Sequence, residues 1–139
     1  MIEAELARLA AKRATPENIR NLEYDLEQMR IHKKDMDPLT RYDTEVHMEL
    51  ARASGNRLLS STMENTKDVF QQGMLEAFQI DSNENVHQAL EYHSEILDAV
   101  KRHDCEAAYQ LMREHIGTVS ERISTGRTQS GAAGKGNGK

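Results

Sequence analysis

Three histidines and one aspartate in this 139-residue chain stand where a helical sequence should bury hydrocarbon. Asp43 and His47 lie four residues apart in LTRYDTEVHMEL, on the stripe formed by Leu39, Tyr42, Val46 and Leu50. His93 continues the stripe Val86, Leu90, Leu97, Val100, and His115 continues Ala108, Leu111 or Met112, Val119. An unpaired charge or imidazole buried in hydrocarbon costs several kcal/mol, so four such residues on core faces need a shared reason. The simplest such reason is a metal held inside a helical bundle. The other histidines, His32, His87 and His103, fall at a helix end, beside a seam and in a loop.

The rest of the chain reads as helix. Ala, Leu, Ile and Met are plentiful, while there is no Trp and only two Phe, a balance that favours helices over sheets. A first helix is expected from Ile2 to Ala14, with Leu6, Leu9 and Ala10 on one face. Thr15-Pro16-Glu17 then gives an N-cap, a proline at the first helical position and an acid in the first turn. The helix that follows carries Ile19, Leu22, Leu26 and Met29. Asp37-Pro38 repeats the signal for a third helix, which Ser54-Gly55-Asn56 ends. A fourth is expected from about Arg57 to Ile80, with Gly73 as its bend, and a fifth from Val86 to Lys101 after the Asp81-Ser82-Asn83 turn. Asp104 caps a last helix that ends near Ile123. The sequence predicts an all-α antiparallel bundle of about six helices over residues 1–125 with a central metal or ligand cavity. Residues 126–139, GRTQSGAAGKGNGK, are expected to be a disordered Gly-rich tail.

Composition removes several classes. The formal net charge of −5 argues against this chain gripping nucleic acid by itself. A single cysteine, Cys105, excludes an internal disulfide and fits a reducing cytoplasm. The charged N-terminus MIEAELARLAAKRA has no apolar core of a signal peptide, and no apolar run approaches a membrane span. The expectation is a soluble cytoplasmic protein. No GxSxG, phosphate-binding loop, dinucleotide turn or HExxH is present. The seven methionines read as core and helix-face filler, and Cys105 as a passive small residue.

Taken singly, each polar residue has a plainer reading. Asp43 and His47 suit an i,i+4 contact on a helix surface, and His93 or His115 suits a hydrogen-bonded core histidine. The set points instead to a metal held between facing helices. Three imidazoles and a carboxylate suit Zn²⁺ first, with Ni²⁺, Co²⁺, Mn²⁺ or Fe²⁺ compatible. Such a site admits a sensor, a structural metal in a dimerisation module, or a hydrolase or lyase using Glu45, Glu91 or Glu114 as base.

Longer stretches resemble a known family. Asp43-x3-His47 precedes Ala53-Ser54-Gly55-Asn56, then comes the run His93-x2-Ile96-x2-Ala99, and then Met112-x2-His115. With LARLAAKRATPENIRNLE near the start, residues 1 to 124 resemble the effector-binding FCD domain of the FadR subfamily of GntR bacterial transcription regulators. Val46 stands where that family usually has an aromatic. The resemblance implies a divalent metal on Asp43, His47, His93 and His115, a small organic acid effector such as a hydroxy- or keto-acid, and a homodimer without catalysis. Arg52, Asn65 and Asn85 are candidate effector contacts. It also implies that DNA is read by a winged helix-turn-helix on the N-terminal side, which is expected to be missing here. This chain then stands as a truncated form or a stand-alone relic.

Overall fold

Cap chemistry and apolar periodicity divide the chain into seven helices in the computed structural model, which describes the backbone through Asn137 and side chains through Gly126. They are α1 (Ile2–Arg13), α2 (Pro16–Ile31), α3 (Met36–Ala53), α4 (Arg57–Asn65), α5 (Lys67–Ile80), α6 (Ser82–Lys101) and α7 (Cys105–Asn137). Among the described residues there is no strand, and the architecture is the all-α bundle that the stripes predict. None of these helices is long and apolar enough to cross a membrane.

The predicted caps form where the chemistry is complete. Thr15 Oγ1 accepts the Asn18 backbone N–H at 3.1 Å while Asn18 Oδ1 accepts the Thr15 N–H at 2.9 Å, a reciprocal box that starts α2. Asp104 Oδ1 accepts the Ala107 N–H at 3.1 Å and starts α7. Gly55 closes α3 at φ +67°, a conformation that an L side chain enters at a cost.

Other boundaries move. The predicted fourth helix is two helices, and the break is at Thr66, not at the expected bend Gly73. Thr62 and Thr66 each donate a side-chain hydroxyl to the carbonyl four residues back, a bond that bends helices. Gly73 sits within α5, and a Cβ there would meet nothing. Helix α3 begins at Met36, so Pro38 lies inside its first turn, where a missing N–H leaves no bond unmade. Helix α6 begins one turn before Val86, at Ser82. Its Asn85 side chain donates to the Ala77 carbonyl near the end of α5. Finally, α7 continues past Ile123 to Asn137, so the Gly-rich segment is helical as far as that residue. Each residue added to a formed helix gains a hydrogen bond without a new nucleus, and Gly126 packs where a Cβ would come within 2.6 Å of Ile80 Cδ1.

Packing places α3 at the middle, against α1, α2, α4 and α5, while α6 and α7 pair beside it. The side of α1 that faces the core is Ala4, Ala7, Ala10 and Ala11, all fully buried. Side chains this small allow a close approach to α7 and α3. Leu22, Leu26 and Met29 of α2 close the opposite side with Val46, Leu50, Ile96 and Leu97. Ordered polar contacts pin α1 along its length: Arg8 reaches Glu106 at 3.1 Å and stacks on Tyr109, and Arg13 donates to the Ser54 carbonyl at 2.9 Å.

On the outer edge of α2 and α3, half-buried Asp25 faces Glu45 and Glu49. Burial first, and then these two carboxylates, push its carboxyl up to about 6, with Arg52 opposing them. The folded state therefore binds this proton more tightly than the unfolded chain does. The stability it contributes is present at low pH and is lost as pH rises through about 6. Solvent screening at a half-buried site limits the effect to about 1 kcal/mol. Asp25→Asn should unfold at higher urea than the parent at pH 7.5, and the gap should close as pH falls through 6 towards 4. A variant equally or less stable at pH 7.5 would show that this strain is absent.

Candidate functional site

Helix periodicity sends Asp43 and His47 inward from α3, and α6 and α7 bring His93 and His115 to meet them. All four are sealed from solvent: Asp43 and His47 are 0% exposed, and His93 and His115 are 2%. One ring nitrogen from each of the three histidines can be chosen so that all three lie within 4.8 Å of one another. His47 Nε2 and His93 Nε2 are 3.2 Å apart. Asp43 Oδ1 lies 3.2 Å from His93 Nε2 and 3.7 Å from His47 Nε2. The three imidazoles also pack as rings, His47 with His115 at a centroid distance of 5.9 Å and His93 with each of them at 5.0 Å.

The polar atoms of this cluster are poorly satisfied. Both Asp43 oxygens and His115 Nε2 are buried without a hydrogen bond of sound geometry. Each such group ordinarily costs about 1–3 kcal/mol, and native interiors carry few of them. Imidazole nitrogen and carboxylate oxygen are also the donor types that divalent cations take.

Electrostatics divide the four. Burial pushes the Asp43 carboxyl up, but the neighbouring His93, and then His47 and His115, hold it below the ordinary carboxylate value. Burial pushes His47 down, yet the carboxylates of Glu3 and Asp43 outweigh it and raise the imidazole to about 10. Burial takes His93 down to about 4 against the pull of Asp43, with His47 adding to the fall. His115 is held well below its ordinary value by burial and by the other two histidines. Nearby carboxylates thus favour charge on His47, while burial and neighbouring imidazoles disfavour it on His93 and His115.

The contacts around the cluster were only partly visible in the sequence. Glu3, from the first turn of α1, brings Oε2 to 2.6 Å from His47 Nδ1. The stripe rule that picks out the histidines would have found it, because Glu3 precedes buried Leu6, Ala7 and Ala10 by three, four and seven residues. Met29 Sδ lies 3.4 Å from His93 Nδ1. Beside His115 is a cavity of about 10 Å³, room for about one water. Its polar lining is Asn85, Gln88, Thr118 and Arg122. A groove of about 470 Å³ on the surface shares Asn85, Thr118 and Arg122 with it.

Of the three expected effector contacts, Asn85 reaches this cavity and the other two lie elsewhere. Arg52 is half exposed on the far end of α3, held by Glu49 at 2.9 Å and Glu45 at 3.7 Å. Asn65 is exposed at the end of α4. Arg52 lies off the α3 stripe of Asp43 and His47 and Asn65 faces solvent, whereas Asn85 is 7% exposed on α6. Arg122, two turns beyond His115, is the basic residue that lines the cavity, and its nearest acid is Glu84 at 3.8 Å. The side chains considered as catalytic bases are engaged or outward: Glu45 binds Lys67 at 2.8 Å, and Glu91 and Glu114 are exposed.

Comparison with known proteins follows this geometry. A family model described as the FCD domain matches residues 1–118, a span that contains all four cluster residues. The chain is 28% identical over 124 residues to the HTH-type transcriptional repressor RspR of Escherichia coli strain K12, covering 88% of this chain and 54% of that one. An uncharacterized HTH-type transcriptional regulator, YdfH of Shigella flexneri, gives the same figures. The galactonate operon transcriptional repressor of Escherichia coli strain K12 is 24% identical over 123 residues, covering 88% and 53%. The chain thus spans about half the length of the curated relatives it matches.

The orphaned Nε2 makes a direct prediction for the metal-free protein. His115→Leu removes a buried, unpartnered polar atom at similar volume, so it should raise the urea midpoint by the equivalent of about 1 kcal/mol. An ordinary satisfied core histidine would respond with a loss.

Proposed function

Because this chain belongs to the FCD domain family, we propose that it is the ligand-sensing domain of a GntR-family transcriptional regulator of the FadR subfamily. In this reading it senses a small organic acid through a divalent metal ion. The observation that carries the proposal is the buried triad His47, His93 and His115, whose ring nitrogens lie within 4.8 Å of one another, with Asp43 Oδ1 3.2 Å from His93 Nε2. A cation among these three rings would take their nitrogen lone pairs, with the Asp43 carboxylate beside it. Imidazole and carboxylate donors fit Zn²⁺ first, and Ni²⁺, Co²⁺, Mn²⁺ or Fe²⁺ by the same chemistry.

Asp43, His47, His93 and His115 would hold the ion, which supplies a positive centre for a carboxylate in a site of low dielectric. The protein's own part is to orient and select. Arg122 can pair with a carboxylate through a charge-assisted hydrogen bond, and Asn85, Gln88 and Thr118 offer amide and hydroxyl groups suited to hydroxyl or keto oxygens. One relative is named for a galactonate operon, and galactonate is a hydroxy-carboxylate of this class. The inner cavity is far smaller than such an acid, so binding must part α5, α6 and α7 along the groove that Arg122 borders. That movement is the signal in this reading. The regulator works as a cytoplasmic homodimer, and a separate helix-turn-helix domain makes the DNA contact. No catalytic step is assigned.

The test is metal analysis of the purified chain, followed by calorimetric titration with a panel of hydroxy- and keto-acids, with and without chelator. We expect one divalent ion per chain. An acid should raise the melting temperature only in the metal-loaded protein, and His93→Ala and His115→Ala should each lose both effects. Arg122→Gln should keep the metal and weaken the acid about tenfold or more, the loss of one charge-assisted contact. Acid binding that survives chelator and both histidine variants unchanged would refute the metal-dependent sensor.

A further inference from the structure

An acid in the first turn of a helix ordinarily stays in solvent, where it complements the helix dipole. Glu5 does so, with 44% of its side chain exposed. Glu3, in the same turn, is turned inward with 11% exposed, and its Oε1 is buried without a hydrogen-bond partner. Burying a carboxylate costs several kcal/mol unless a specific partner offsets it. Its partner is His47 Nδ1, 2.6 Å from Oε2.

That bond decides how the ring is presented. An imidazole offers two nitrogens, and the one engaged by an outer acceptor fixes which remains for a ligand. With Nδ1–H donating to Glu3, the other nitrogen, Nε2, is the one that faces Asp43 and His93. His93 has no comparable support, since its Nδ1 faces the Met29 thioether at 3.4 Å, a weak acceptor. Among the described contacts of the three imidazoles, Glu3 supplies the one outer carboxylate.

Glu3 also belongs to a different helix from every member of the cluster. Arg8 and Arg13 hold the rest of α1 to α7 and to the end of α3, and His103 Nδ1 meets the Ala11 carbonyl at 2.8 Å. A change in the position of the His47 ring therefore passes directly to α1. We infer that Glu3 is the positioning residue of the centre: its carboxylate holds the His47 ring so that Nε2 faces the metal, and it ties the order of α1 to metal occupancy. The inference rests on the metal-binding reading above. Carboxylate partners of metal-bound histidines elsewhere are worth about 10- to 100-fold in affinity.

The experiment is zinc titration against a competing chromogenic chelator, with hydrogen exchange of α1 followed with and without zinc. It compares the parent chain with Glu3→Gln and, as a control on the same turn, Glu5→Gln. We expect Glu3→Gln to bind zinc about 10- to 100-fold more weakly and Glu5→Gln to match the parent. Zinc should slow exchange of the α1 amides in the parent and do so much less in Glu3→Gln. Equal zinc affinity and equal α1 protection in Glu3→Gln would overturn the inference and leave the metal reading standing. A Glu3→Gln chain that loses only metal-free stability would overturn it too, because that marks a merely structural role. If Glu3→Gln fails to fold, the ring nitrogens of His47 in the zinc-loaded parent decide by ¹H–¹⁵N correlation. A proton on Nδ1 with zinc on Nε2 supports the inference, and the reverse sinks it. A parent chain that takes up no zinc or other divalent ion overturns the metal reading itself.

Discussion

Desolvation of four polar side chains is the constraint on which the rest of this bundle depends. Asp43, His47, His93 and His115 come from three helices and meet where water cannot reach them. Hydrocarbon packing alone would not choose that arrangement, because each buried polar atom costs free energy until something binds it. The surrounding helices nevertheless hold the cluster closed. Ala4, Ala7, Ala10 and Ala11 bring α1 close, Met29 and Leu26 close the side of α2, and Phe70 lies with its ring 4.6 Å from His47. Stability contributed by the apolar layers thus maintains a strained polar interior, the pattern expected where a fold carries a binding site.

The same strain orders the functional argument. Family membership places the chain among regulator domains, and the geometry suggests how such a domain would respond to a ligand. In the proposed sensor, the ion relieves the electrostatic conflict among the histidines. The acid adds contacts from Arg122 and Asn85 at the mouth of a cavity now large enough for about one water. In that proposal ligand binding and helix movement would be one event, because the cavity is so small. Glu3 extends this coupling to α1, a helix with no member in the cluster itself.

Most of the architecture was legible along the chain. The capping box at Thr15, the left-handed Gly55 and the Asp104 cap are local bonds between residues at most a few positions apart, so the sequence contains both partners. The stripes of α3, α6 and α7 were legible for the same reason: periodicity names a face without any knowledge of its neighbour. Errors arose where a competing local bond or a distant contact decided. The break falls at Thr66, beside the hydroxyl back-bonds of Thr62 and Thr66, and not at Gly73, which stays within α5. Composition predicts irregular chain from Gly126, whereas α7 runs on to Asn137 and Gly126 packs against Ile80.

By itself, then, the sequence determined that this protein is a helical bundle and that Asp43, His47, His93 and His115 lie on inward faces, since both follow from spacing along one chain. Tertiary structure alone decided which groups complete the site. Glu3 lies 44 residues from His47, and His115 and Arg122 share a cavity with Asn85 of another helix. Of Arg52 and Asn65, equally plausible on paper, the first is held by Glu49 and Glu45 and the second faces solvent. The physical reason is that a side chain's charge and hydrogen-bonding capacity are written in the sequence, but its partners are set by how helices pack. Packing is the sum of many weak contacts, and no single stretch of chain contains them.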